Sequence, residues 1–121
     1  MTSNFVITPP QQASLAVLGS DARYPVRRII CVGRNYAEHI REMGNDERDP
    51  PFFFCKPADA VMDSGSVVPY PPDTEDLHNE VELVVAIGGG GRNIAPEDVL
   101  GHIWGAAVGI DLTRRDLQSV A

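Results

Sequence analysis

Two glutamates share one face of an otherwise apolar run. In EVELVVAI, residues 80–87, side chains of an extended strand would alternate, so Glu80 and Glu82 would project from one side, roughly 6–7 Å apart along the backbone. Val84 and Ala86 continue that face, while Val81, Leu83, Val85 and Ile87 form the other. Two partly buried carboxylates left unpaired would cost stability. A divalent cation resolves the conflict. Hard ions such as Mg²⁺ and Ca²⁺ take carboxylate oxygens, and Mn²⁺ accepts the same donors. Asp111, at the polar end of the next long apolar run, offers a third ligand if the two strands are sheet neighbours. A strand end whose acids face solvent or pair with arginine accounts for the same residues. Spacing alone does not choose between these readings.

A second pair, His39 and Glu42, stands three apart in the helix-prone segment YAEHIREM, where such residues are surface neighbours. A glutamate can orient an imidazole and stabilise its protonated form, which equips His39 as a general base for activating water. A solvated helix face would carry the same two residues. Lys56, Arg115 and Gln118 are candidate contacts for an anion or a carbonyl. Arginine suits bidentate carboxylate binding, and Arg115 and Gln118 share a face if the segment after Asp111 is helical. GGGGRN lacks the GK[ST] of a phosphate-binding loop and reads as a reversal. His78 and His102 have no partner at metal-ligand spacing and are assigned structural roles.

The elements that must hold these residues follow from pattern and punctuation. Residues 26–32 (VRRIICV) are rich in β-branched types and predict a strand ending at Gly33. Residues 36–43 predict a helix closed by Gly44. Phe52–Cys55 predicts a short buried strand. Residues 80–87 and 103–112 predict two long strands, with a tight reversal at Gly88–Gly91 and a short helix opened by Pro96. Residues 113–118 (TRRDLQ) predict the start of a helix, with Thr113 or Asp111 near its cap. Strands dominate, so the expected class is α+β and mainly β.

The composition is that of one globular domain: 121 residues, 43% hydrophobic and 22% charged. A net charge of −7 excludes a nucleic-acid binder, which needs clustered Lys and Arg. Cys31 and Cys55 lie within apolar runs and are expected as small buried thiols. The opening MTSNFVITPP lacks the basic and apolar blocks of a secretory signal. No apolar stretch approaches the ~20 residues of a membrane span, so a cytoplasmic protein without membrane contact is expected.

Taken in order, VGRNYAEHIREMG, PFFFCKPADAV, LHNEVELVVAIG and VGIDLTRRDLQ resemble the fumarylacetoacetate hydrolase family over about residues 24–118. Within that family, GSDARYPVRRIICVGRNYAEH is most similar to the fumarylpyruvate hydrolase or acylpyruvase branch, which serves gentisate-type aromatic catabolism. The resemblance implies a mixed β-sandwich or β-roll, here truncated, with residues 1–25 as an N-terminal arm and 26–121 as the N-terminal portion of the catalytic domain. It implies that Glu80, Glu82 and Asp111 are ligands of Mg²⁺ or Mn²⁺, with Ca²⁺ as a further option. It makes His39 and Glu42 the water-activating pair and Arg115 and Gln118 substrate contacts, with Lys56 near the pocket.

The implied reaction is hydrolysis of a carbon–carbon bond in a 2,4-diketo acid, fumarylpyruvate giving fumarate and pyruvate. Water would attack the distal carbonyl, and the cation would offset the charge of the departing pyruvate enolate. The implied assembly is a homodimer. Family domains continue past the segment matched by Gln118, with a KSFD-like segment and further core strands. A fragment, a split gene and a natural truncation would each give this chain, and strand edges and apolar faces would then be left exposed. An oxaloacetate decarboxylase or isomerase of the same fold would use the same metal site. An inactive module that assembles with a partner chain is a reading of a different class.

Overall fold

The computed structural model describes residues 4–33 and 50–120 and divides the chain into two compact units, Met1–Val68 and Pro69–Ala121. Regular structure is mainly extended, which agrees with the expected class. The predicted helix at 36–43 lies outside the described residues.

In the first unit, β1 (Ser14–Ala16) and β2 (Arg23–Pro25) form a small antiparallel hairpin, with Leu15 opposite Tyr24. Gly19 turns the chain with φ 76, a conformation that costs an L side chain but not glycine. Arg23 fastens this hairpin, donating from Nε to Ser14 Oγ at 2.7 Å and from Nη2 to Asp63 Oδ1 at 2.8 Å. Val26 follows, and among the described residues it is the one buried hydrophobic side chain. The strand predicted over 26–32 begins later, because Val26 donates its N–H to Ala13 O at 2.8 Å and continues the first hairpin instead.

β3 (Ile29–Gly33) then pairs antiparallel with β4 (Phe52–Lys56). Gly33 stands opposite Phe52, and a Cβ there would sit 2.7 Å from Phe52 Cε2, so the aromatic ring occupies the space a side chain would need. The expectation of a buried β4 is corrected. Phe52, Phe53 and Phe54 are all exposed, since nothing among the described residues covers this ladder. The cysteines are corrected too. Cys31 is half-buried and Cys55 exposed, and they form no disulfide. Cys31 pairs with Phe54 and Cys55 with Ile30, so adjacent ladder positions send the two thiols to opposite faces.

The second unit is built on one long antiparallel hairpin, β5 (Leu77–Ile87) with β6 (Ile103–Arg114). Both strands run further than predicted. The β-branched and aliphatic run Val81–Ile87 favours the extended ladder, and pairing continues outward to Leu77 opposite Arg114. Thr113 and Arg114 therefore belong to β6, and helix α1 begins only at Arg115 and ends at Val120. The reversal at Gly88–Gly91 is not tight. The connection occupies residues 88–102 and includes a 3₁₀ helix, Pro96–His102, with proline in its first turn. Gly88 N–H donates to His102 O at 2.8 Å, and His102 Nδ1 bonds Gly89 O at 2.8 Å, which closes the connection. The ring of His102 thus has a structural role. His78 likewise meets Asp76 Oδ1 at 2.8 Å.

The hairpin has two unlike faces. Val81, Leu83, Val85 and Ile87 lie exposed on one of them, with Val108 and Ile110 opposite Leu83 and Val81. This is the exposed apolar face anticipated from the sequence. The other face carries Glu80, Glu82 and Asp111, all half-buried.

Candidate metal centre

Register decides which side chains meet. Glu80 stands directly opposite Asp111 in the antiparallel ladder, and Glu82, two residues along, stands opposite Gly109. Directly opposed residues bring their Cβ atoms to about 5 Å, and the period of two keeps Glu82 on the same side. One carboxylate oxygen from each of the three acids lies within 4.8 Å of the others. The space a side chain at Gly109 would need is taken by Val84, whose Cγ2 would lie 2.7 Å from a Cβ there, so this part of the face is filled by an apolar group.

Among the described residues the donors converging here are carboxylate oxygens, which suit a hard cation such as Mg²⁺, Mn²⁺ or Ca²⁺ better than zinc with its usual nitrogen and sulfur ligands. Three like charges on half-buried positions also need positive charge nearby. Arg115, the first residue of α1, supplies some of it. Its Nη2 donates to Glu80 Oε1, and both side chains are about three-quarters covered, at 27% and 28% exposure. The Nε–H of Arg115 is buried without a hydrogen-bond partner among the described residues.

The start of α1 is tied to the segment that leads into β5. Arg115 N–H donates to Asp76 O at 2.9 Å. Asp116 accepts the Thr74 hydroxyl at 2.5 Å and the Glu75 N–H at 3.1 Å. Leu117 N–H also reaches Asp116 Oδ1 at 3.1 Å. The Thr74 hydroxyl bond, then the Glu75 N–H, holds the Asp116 carboxyl below its ordinary pKa, against an opposing contribution from desolvation. Neither Thr74 nor Asp116 stood out in the sequence, because the contact spans 42 positions and no local spacing announces it. The predicted caps, Thr113 and Asp111, are corrected. Both lie within β6, so the polar contacts at the helix start come from Asp116 and the 74–76 segment instead.

Of the other sequence candidates, Gln118 is exposed on α1, three positions after Arg115. Lys56 belongs to the first unit, where it ends β4 opposite Ile29 and is half-buried. His39 and Glu42 lie outside the described residues. The structure therefore brings together Glu80, Glu82, Asp111 and Arg115.

The family model described as fumarylacetoacetate (FAA) hydrolase C-terminal matches residues 28–121. The chain belongs to the fumarylacetoacetate hydrolase family. Among solved structures of this family, fumarylpyruvate hydrolase from Pseudomonas aeruginosa, in complex with Mn²⁺ and pyruvate, is 56% identical. It superposes with a TM-score of 0.88 over 96% of this chain and 52% of that one. Curated family relatives include the mitochondrial oxaloacetate decarboxylase of Dictyostelium discoideum, 41% identical over 96 residues, or 78% of this chain and 44% of that protein. Oxaloacetate tautomerase YcgM of Escherichia coli (strain K12) is 44% identical over 95 residues, 78% of this chain and 43% of its own. The chain thus spans about half the length of these relatives. Its acidic cluster, all carboxylate among the described residues, suits a divalent cation such as the Mn²⁺ held by the Pseudomonas aeruginosa enzyme. Among the described residues, no helix is long and apolar enough to cross a membrane.

Proposed function

We propose that this chain carries the metal-holding part of a hydrolase that cleaves a carbon–carbon bond in 2,4-diketo acids, with fumarylpyruvate as substrate and fumarate and pyruvate as products. The observation that carries the reading is the convergence of Glu80, Glu82 and Asp111 on one face of the β5–β6 hairpin. It is supported by the 56% identity to a fumarylpyruvate hydrolase that binds Mn²⁺ and pyruvate.

In this reading Glu80, Glu82 and Asp111 hold Mn²⁺ or Mg²⁺, which supplies Lewis-acid stabilisation of negative charge that develops on the substrate's keto oxygen. Arg115, already at the rim of the acids, offers a charged fork to the substrate carboxylate. Gln118 and Lys56 are assigned further polar contacts. His39, oriented by Glu42, takes a proton from water as the water oxygen adds to the distal carbonyl carbon. The bond between that carbon and the adjacent methylene then breaks. Its electron pair leaves with the pyruvate fragment, and a returned proton completes pyruvate. The same reading includes a cytoplasmic homodimer serving aromatic catabolism, which sedimentation and growth on an aromatic acid would test.

A second reading is favoured by the names of the curated relatives, an oxaloacetate decarboxylase and an oxaloacetate tautomerase. It uses the same three acids, and only the products tell it apart. The deciding experiment follows fumarate release from fumarylpyruvate, and carbon dioxide release or keto–enol conversion of oxaloacetate, each with Mn²⁺. Wild type, His39→Ala and Glu82→Ala are compared. Equal fumarate release in all three discards the hydrolase scheme. Turnover of oxaloacetate alone selects the second reading. Inertness without a partner polypeptide points to an assembly module.

A further inference from the structure

We propose that Asp116 is a positioning residue that clamps α1 to the Thr74–Asp76 segment and thereby fixes Arg115 at the rim of the acidic cluster. The inference rests on the metal-centre reading above for its consequence in substrate binding, but the clamp itself is a matter of geometry.

Helix α1 runs only from Arg115 to Val120. A helix of that length has no independent stability in water, so its position must come from tethers. Those tethers converge on its first two residues. The Arg115 N–H donates to Asp76 O at 2.9 Å. The carboxylate of the next residue, Asp116, takes the Thr74 hydroxyl at 2.5 Å on one oxygen and the Glu75 N–H at 3.1 Å on the other. Thr74 also receives the Asp76 N–H on Oγ1 at 3.3 Å, so its hydroxyl is used in both directions.

Thr74 is the one buried polar residue among those described, at 9% exposure. A buried hydroxyl is retained at little cost only when its partner is in place, and that partner is Asp116. Charge-assisted bonds of this kind are stronger than neutral ones. The backbone of Arg115 is thus held on both sides, by its own N–H and by the side chain that follows it.

This matters because Arg115 is long and rotamer-rich. Its Nη2 reaches Glu80 Oε1 from a backbone fixed at the end of the ladder, where Arg114 still pairs with Leu77. If α1 were released, the guanidinium would sample solvent rather than the rim. The clamp therefore converts an arginine near the acids into one aimed at them.

The test has two independent parts. The first uses no substrate. Amide hydrogen exchange at Glu75 and Leu117 and the Arg115 Nε–H signal in ¹H–¹⁵N spectra are compared in wild type, Asp116→Ala, Thr74→Val and Thr74→Ser. Asp116→Ala and Thr74→Val are expected to lose amide protection and to broaden or shift the Arg115 signal, while Thr74→Ser restores both. An Arg115 signal unchanged in Asp116→Ala overturns the proposal.

The second part measures KM and kcat for fumarylpyruvate with Mn²⁺. Asp116→Ala is expected to raise KM about tenfold, within the range of losses produced by small misplacements. In an Arg115→Ala background it should raise KM less than about twofold, because residues acting through one another are not additive. Equal effects in both backgrounds overturn the proposal. A wild type that turns over no fumarylpyruvate, yet whose Arg115 signal depends on Asp116, overturns the hydrolase reading and leaves the clamp standing.

Discussion

The guanidinium of Arg115 donates to Glu80 Oε1, the same carboxylate that converges with Glu82 and Asp111. One cation is therefore already engaged by the acids that a divalent ion would use. Binding of the ion and the Arg115–Glu80 pair compete for one side chain, and nearby like charge adds repulsion. A partly covered ion pair is worth about 1 kcal/mol. Arg115→Ala is accordingly expected to bind Mn²⁺ about fivefold more tightly, and to gain more in Tm on adding Mn²⁺ than wild type does. Titration calorimetry reads the first and differential scanning the second. Weaker binding in the variant would contradict the competition.

Removal of one of the three acids should be far more damaging. Supporting residues around a metal typically cost 10–100-fold when lost, so loss of a ligand itself should weaken Mn²⁺ binding by about a hundredfold or more. Glu82→Ala and Asp111→Asn are the clearest choices, since both leave in place Glu80, the acid that Arg115 engages. The paramagnetic signal of free Mn²⁺ reports the bound fraction directly. Retention of wild-type affinity in both variants would rule out the centre.

His39 is not one of the acids assigned to the metal, and its assigned role is proton transfer alone. His39→Ala is expected to lower kcat by about 10²–10⁴-fold, the usual contribution of a positioned base. Mn²⁺ affinity should stay within twofold of wild type. A variant that lost the metal together with activity would show that His39 is not acting as the base.

The clamp has a signature in acid. Bonds from Thr74 and Glu75 hold the Asp116 carboxyl below its ordinary value of 3.8. The folded chain thus binds this proton less readily than the unfolded one. The resulting support for the fold is fully present above 3.8 and fades as pH falls through the lower, folded-state value. Asp116→Asn should therefore be less stable than wild type at neutral pH, and the gap should close in strong acid. Melting curves from pH 6 downward test this. A gap of constant size at every pH would assign the loss to something other than the charge.

Much of the centre could be read from residue order, and the reason is local. A strand repeats every two residues, so Glu80 and Glu82 had to share a face once EVELVVAI was recognised as extended. Asp111 required one further step, the pairing of two long apolar runs, which the Gly88–Gly91 punctuation already suggested. What the local pattern concealed was non-local. The ladder runs outward to Leu77 and Arg114, so the helix starts later than TRRDLQ implies. The connection between the strands holds a 3₁₀ helix because His102 folds back on Gly88 and Gly89, and glycine content alone cannot report that. Apolar Phe52–Phe54 suggested burial, yet composition says what a segment prefers and not what covers it. The bond between Thr74 and Asp116 belongs to the same class, since only the folded ladder brings them together.

The pairing of Glu80 with Asp111 also makes the centre a gauge of strand alignment. A slip of a single residue would turn one strand over and scatter the acids to opposite surfaces. An ion that needs all three would bind the correctly aligned hairpin and ignore every misaligned one, so mass action would draw the population toward the native pairing. Mn²⁺ should then raise the proportion of properly matched strands in refolding, by an amount that grows with its concentration.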